Sequence, residues 1–139
     1  MTEPYGIGSA TYDAAGGING IRQLVDDFYT IMDESEESQD IRKMHPEDLE
    51  VSKDKLACFL SGWMGGEALY QEKYGSINIP GAHSFLKIGE KERDMWMLCM
   101  AKALGKQDYA DDLRRYLFEQ LFQPAEKIRQ VSEARHANQ

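Results

Sequence analysis

From Ile18 onward the apolar positions Ile21, Leu24, Val25, Phe28 and Ile31/Met32 recur at steps of three and four. That spacing predicts an amphipathic helix ending near Asp33. Tyr29 falls one residue past Phe28 and so flanks the apolar stripe. An acidic linker follows, then Ser38–His45, read as a short helix or turn that Pro46 closes, because the residue before proline is pushed out of helical geometry. His45 sits at that corner. Ser52 is expected to cap the next helix, with Asp54 complementing its dipole. Leu56, Phe59, Leu60 and Trp63 form its stripe, and Gly65-Gly66 stop it. Between Glu67 and Gly89 the pattern loosens to one short helical piece around Ala68–Tyr74. Gly89 then opens a helix through Leu104 in which Trp96, Cys99, Met100 and Ala103 share a face, with Gly105 as its stop. Asp108 is expected to cap a last helix whose stripe runs Leu113, Tyr116, Leu117, Gln120, Leu121, Pro124, Ile128 and Val131, kinked or ended midway by Pro124. No strand-like alternation occurs, so the chain reads as all-α, with about five or six helices.

Residues 1–15 show little periodicity and are expected to pack loosely or fray as an N-terminal extension; residues 134–139 read as a frayed tail, which leaves 16–133 as the folded domain. The 139 residues suit one domain able to enclose a planar cofactor. A net charge of −8 argues against a nucleic-acid footprint. No apolar run approaches a membrane span, and the start lacks a basic flank followed by an apolar segment, so a cytoplasmic location is expected. Cys58 and Cys99 lie within apolar helical patterns, as buried free thiols of a reducing compartment would, although the sequence leaves a disulfide between them open.

The loose stretch carries the candidate chemistry. His83, set among Pro80, Gly81, Ala82, Ser84 and Phe85, offers one imidazole nitrogen to a metal. One imidazole cannot build a closed zinc site, which needs about four protein ligands. A haem iron needs only one axial nitrogen from the protein, so the chemistry permits haem there without requiring it. A long irregular connection inside a small domain also points to function.

The ordered string Gly62-Trp63-Met64-Gly65-Gly66, Leu69-Tyr70, Tyr74-Gly75, His83-Ser84-Phe85, Ile88-Gly89, Glu92-Arg93-Asp94-Met95-Trp96 and Cys99-Met100 resembles the truncated haemoglobins of the second group. Upstream the likeness includes Gly16-Gly17, Phe28-Tyr29 and Met44–Leu49, so it spans about residues 15 to 130. Each piece is weak alone; their joint order and spacing are specific. The resemblance implies a truncated globin, a two-over-two helical sandwich around haem b (iron protoporphyrin IX). It makes His83 the proximal iron ligand, with Phe59, Leu60, Tyr70, Phe85, Lys87, Ile88 and Met100 as cofactor-binding residues. On the distal side it implies three converging donors, Tyr29, His45 and Trp96, with Ser52 and Leu56 lining the same pocket. The chain departs from the family pattern at Ala82, where relatives carry a basic residue that pairs with a haem propionate; Lys87 and the Tyr70 hydroxyl are the substitute partners.

The expected function is reversible binding of dioxygen or other diatomic ligands (nitric oxide, carbon monoxide) or of peroxide, held by distal hydrogen bonds. Slow release suits redox chemistry fed by an unknown reductase better than oxygen transport. A peroxidase-like or nitric oxide dioxygenase enzyme is the alternative, with Tyr29, His45 and Trp96 assisting. A cofactor-free interaction module with a Met-rich groove (Met95, Met97, Met100) is a third reading.

Overall fold

The structure, a computed structural model, describes residues 5–75 and 88–136, with side chains up to residue 134. Among them there is no strand. The elements are α1 (Ala10–Ala14), α2 (Gly17–Glu34), a 3-10 turn (Glu36–Ser38), α3 (Gln39–Arg42), α4 (Glu50–Trp63), α5 (Leu69–Tyr74), α6 (Glu90–Lys106) and α7 (Asp111–His136). Helix α2 packs on both α4 and α6, and α6 packs on α7. The result is the two-over-two sandwich, with α2 and α4 in one layer and α6 and α7 in the other.

The α2 stripe is buried as its spacing requires: Ile21, Leu24, Phe28 and Met32 are fully enclosed, with Val25, Tyr29 and Ile31 beside them. They meet Met97, Cys99, Met100, Ala103 and Leu104 of α6, Ala57 and Leu60 of α4, and Leu113, Leu117 and Leu121 of α7 in one core. Burial of side chains of this size stabilises the fold by roughly 1.5–3 kcal/mol each.

The glycine stop of α4 is as expected. Gly65 takes φ +95°, its amide bonds to the Gly62 carbonyl at 3.1 Å, and the Gly66 amide reaches the Ser61 carbonyl at 2.8 Å. That pair of bonds is a Schellman motif, which satisfies the last carbonyls of the helix.

Several boundaries differ from the sequence reading. Ser52 does not cap α4: the helix begins at Glu50, whose amide is taken by the Asp48 carboxylate at 2.9 Å. Ser52 lies inside the first turn. Gly105 does not stop α6, which runs to Lys106. The end is closed by side chains from α7, since Arg114 donates to the Leu104 carbonyl at 3.2 Å and to the Gln107 carbonyl at 2.7 Å, and no left-handed glycine is needed. Helix α7 starts at Asp111, three residues past Asp108, and Pro124 does not end it. Proline there removes one backbone bond, but the turns on either side are anchored: Leu121 is buried, and Glu126 accepts from Arg93 at 2.8 Å and from Arg129. The backbone of Ala134–His136, expected to fray, continues this helix.

The largest correction concerns residues 5–15, which dock instead of fraying. Thr11 and Ala15 are buried. The Tyr12 amide donates to the Met64 carbonyl at 3.0 Å, and the Tyr12 hydroxyl accepts from the Ile18 amide at 3.1 Å, capping the first turn of α2. Tyr109 on the far side donates to the Ala15 carbonyl at 3.0 Å. The segment lies on the α4 stop so closely that a Cβ at Gly65 would run into the Gly8 carbonyl, and one at Gly66 into the Tyr12 ring.

Candidate functional site

The site residues named from sequence fall in different places. Tyr29, His45 and Trp96 are linked by a run of ring contacts. Tyr29 projects from the middle of α2, and His45 stands at the corner after α3, their rings edge to face with centroids 5.6 Å apart. Phe28 bridges to α6, lying 5.0 Å from the Tyr29 ring and 5.0 Å from that of Trp96. Ser52, Leu56 and Phe59 are half-buried along α4; Leu60 and Met100 are wholly enclosed in the core. Tyr70 stands on α5 in ring contact with Tyr74 at 5.3 Å, and Ile88 leads into α6. His83, Phe85 and Lys87, with Ala82, lie outside the described residues.

The local sequence explains the cluster. Residues 28 and 29 are adjacent on α2, about 100° apart around its axis, so one points into the core and the other along its margin. The corner that presents His45 is clamped by Arg42, which donates to Asp33 at 2.9 Å and to the Pro46 and Glu47 carbonyls at 3.0 Å each. The His45 ring nitrogen Nδ1 bonds to the Ile41 carbonyl at 2.8 Å. Trp96 is set by α6, whose first turn is tied down by the Gly89 amide on the Glu92 carboxylate at 2.9 Å.

The Tyr29 side chain is only 5% exposed, and its hydroxyl has no hydrogen-bond partner among the described residues. Burial pushes its phenol well above the ordinary value of 10, so it stays a neutral donor. An unpaired buried hydroxyl costs on the order of 1–3 kcal/mol. Such a group with an imidazole in ring contact fits a small polar guest. Leu56, Phe59, Trp63, Met95 and Trp96 are half-buried apolar side chains packed against the core, the residue type that would pack on a porphyrin. The residues present thus fit haem with a small polar ligand.

Sequence reasoning missed two parts of this arrangement. Spacing alone puts Phe28 in the core, and only its aromatic type next to Tyr29 signals the bridging role. The Ile41 carbonyl that holds His45 is a backbone group, and no side-chain pattern marks it.

The architecture and the ring cluster together define a globin. A model of the bacterial-like globin family matches residues 10–130, and the chain belongs to that family, whose members bind haem. It is 32% identical over 114 residues to the group 2 truncated haemoglobin YjbI of Bacillus subtilis (strain 168), covering 81% of this chain and 83% of that protein. Among solved structures it is similar to the cold-adapted truncated haemoglobin of the Antarctic marine bacterium Pseudoalteromonas haloplanktis TAC125, with a TM-score of 0.82 at 32% identity over 85% of this chain and 95% of that one. The group II 2-on-2 haemoglobin of Agrobacterium tumefaciens gives a TM-score of 0.81 at 33% identity, over 85% and 92% of the two chains.

Proposed function

We propose that this chain is a group II truncated haemoglobin that carries haem b on His83 and reversibly holds dioxygen and other diatomic ligands on the side of Tyr29, His45 and Trp96. The observation that carries the reading is the Tyr29 hydroxyl, buried and unpartnered among the described residues at the centre of the ring cluster. His83 would hold the haem, which when bound would supply an iron able to take one small ligand. The chain's own residues do the rest. The second ring nitrogen of His83 needs an acceptor that fixes the tautomer of the ligating one. Tyr29 and the Trp96 indole donate to the electronegative outer atom of the guest, and Trp96, with a donor and no acceptor, favours a polar guest over a bare pocket. Leu56 and Phe59 exclude water. Ser52 is too small to reach across and leaves the ligand position open.

Donors of this kind slow release, which suits turnover of oxygen, peroxide or nitric oxide with electrons from a reductase better than bulk delivery. The two cysteines, free and buried on α4 and α6, accord with work in the cytoplasm. Absorption spectra of the purified chain, ferric, then ferrous, then under carbon monoxide, test the reading. Haem-type bands that vanish in His83→Ala are expected; a colourless chain after reconstitution with hemin overturns it.

A further inference from the structure

Tyr74 ends α5, and its phenol reaches across to α4. The hydroxyl donates to Oδ2 of Asp54 at 2.5 Å, at the short end for an O–H on a carboxylate. The same oxygen accepts from Lys73 at 2.9 Å, and Oδ1 accepts from Arg22 on α2 at 3.2 Å. The Asp54 bond first, then burial, pushes the phenol up to about 12, so it starts neutral. Tyr74 is 37% exposed. Its ring lies against that of Tyr70, with centroids 5.3 Å apart, and the Lys55 ammonium stands over it, 5.4 Å from the centroid.

These contacts decide how an electron can leave the ring. Loss of one electron from a neutral phenol leaves a radical cation, a far stronger acid than any carboxyl group. Lys55 opposes a positive charge building up beneath it. A carboxylate already bonded to the hydroxyl removes that obstacle, because the proton can shift to Asp54 as the electron goes. Among the described residues only one other tyrosine donates to a carboxylate, Tyr5 to Asp112, and at the longer distance of 2.9 Å. Tyr109 donates to the neutral carbonyl of Ala15.

We propose that Tyr74 is a redox-active residue through which small anionic reductants pass single electrons to the protein, with Asp54 as its proton acceptor. In the forward step a one-electron oxidant takes one electron from Tyr74, the phenolic O–H bond breaks, and the proton bonds to Asp54. A neutral tyrosyl radical remains, within reach of Tyr70. The reductant then restores one electron, and the proton returns, since a phenolate is far more basic than a carboxylate. Between the two events the Asp54 charge is cancelled, which leaves Lys73 and Arg22 uncompensated beside the ring. An anion such as an enediolate is therefore attracted while the radical exists. The proposal rests on the haem reading above in one respect: the oxidant is taken to be haem that peroxide has left oxidised, each of its two oxidising equivalents drawing one electron from Tyr74.

Two measurements test this, and the first needs no haem chemistry. The full-length chain is oxidised under light by ruthenium(III) tris-bipyridine with a nitroso spin trap present, and the adducts are located by mass spectrometry of its peptides. The trap is expected on Tyr74 ahead of Tyr5, with a rate that falls in heavy water. Asp54→Asn is expected to slow Tyr74 labelling about tenfold, the scale of one charge-assisted hydrogen bond, and to leave Tyr5 labelling unchanged. Labelling of Tyr5 ahead of Tyr74, equal Tyr74 rates in Asp54→Asn and the parent, or a parent rate indifferent to heavy water overturns the proposal. The heavy-water arm decides it even where Asp54→Asn fails to fold. In the second measurement the ferric holoprotein is given peroxide and ascorbate. Ascorbate oxidation is expected to be largely lost in Tyr74→Phe, while oxygen release from the ferrous form stays as in the parent; undiminished ascorbate oxidation overturns the role in electron entry. A chain that takes up no haem sinks the haem reading, and the labelling still decides the assignment of Tyr74 and Asp54.

Discussion

The amide of Ile88 donates to Oγ of Ser132 at 2.8 Å, across 44 positions of sequence. The approach to α6, which carries Trp96, is thereby fastened to the late turns of α7. Ser132 is buried, so its loss leaves polar backbone poorly paired. Ser132→Ala is expected to lower stability by about 1–2 kcal/mol. The urea midpoint of the variant against the parent measures it; unchanged midpoints would mean that the bond adds nothing.

A second expectation concerns Gly65, which combines a left-handed φ of +95° with the Gly8 carbonyl lying where a Cβ would stand. Gly65→Ala is expected to cost about 2 kcal/mol or more, from backbone strain plus displacement of the N-terminal segment. Thermal unfolding gives the size, and faster proteolysis ahead of Tyr12 shows which end has moved.

Asp54 ties three elements together. It accepts from Tyr74 at 2.5 Å and Lys73 at 2.9 Å on α5, and from Arg22 on α2 at 3.2 Å. The Tyr74 hydroxyl first, then Lys73, hold its carboxyl down to about 2 from the ordinary 3.8. A carboxyl lowered by folding stabilises fully above its unfolded value, and that contribution is lost as pH falls from about 4 toward about 2. Asp54→Asn is expected to flatten the acid limb of stability against pH over that window, with the neutral region shifted down. An acid limb identical to the parent's counts against the cluster.

Trp96→Phe is expected to speed oxygen release about tenfold, the scale of one buried hydrogen bond of roughly 1.5 kcal/mol. Stopped-flow displacement by carbon monoxide measures it. Equal rates would show that the indole does not reach the ligand.

On the proposed haem reading, the resemblance sets Ala82 in place of a basic residue that pairs with a haem propionate, so one charge-assisted anchor would be missing. Ala82→Arg is expected to slow haem transfer to an acceptor protein, and an unaltered transfer rate would rule out this account of the propionates.

Much of the fold could be read from periodicity because its long helices bury one stripe each, and α2 shows this best: every predicted core position from Ile21 to Met32 is buried. The glycine stop at Gly65-Gly66 was equally plain, since only that residue type takes the required φ without strain. What failed was local reasoning about ends that are closed from a distance. Ser52 looked like a cap, but Asp48 does that work two residues ahead of the helix. Gly105 looked like a stop, but Arg114 from another helix satisfies the carbonyls. Residues 5–15 looked loose because their partners, Met64 and Tyr109, are remote in sequence. Of the candidate site, the aromatic types were legible, and ring contacts run from Trp96 through Phe28 to Tyr29 and on to His45. The hold on His45 was not, since it comes from a main-chain oxygen at Ile41 that any side chain at that position would provide.

The docked N-terminal segment bears on timing during synthesis. Tyr5 bonds to Asp112 at 2.9 Å over a separation of 107 residues, and Ala15 meets Tyr109 over 94. The contacts of Tyr5 and Ala15 therefore wait until residues 109–112 have been made, long after the α4 stop that holds Tyr12. A nascent chain lacking those residues would leave Tyr5 and Ala15 open to proteases, whatever the state of the helices between.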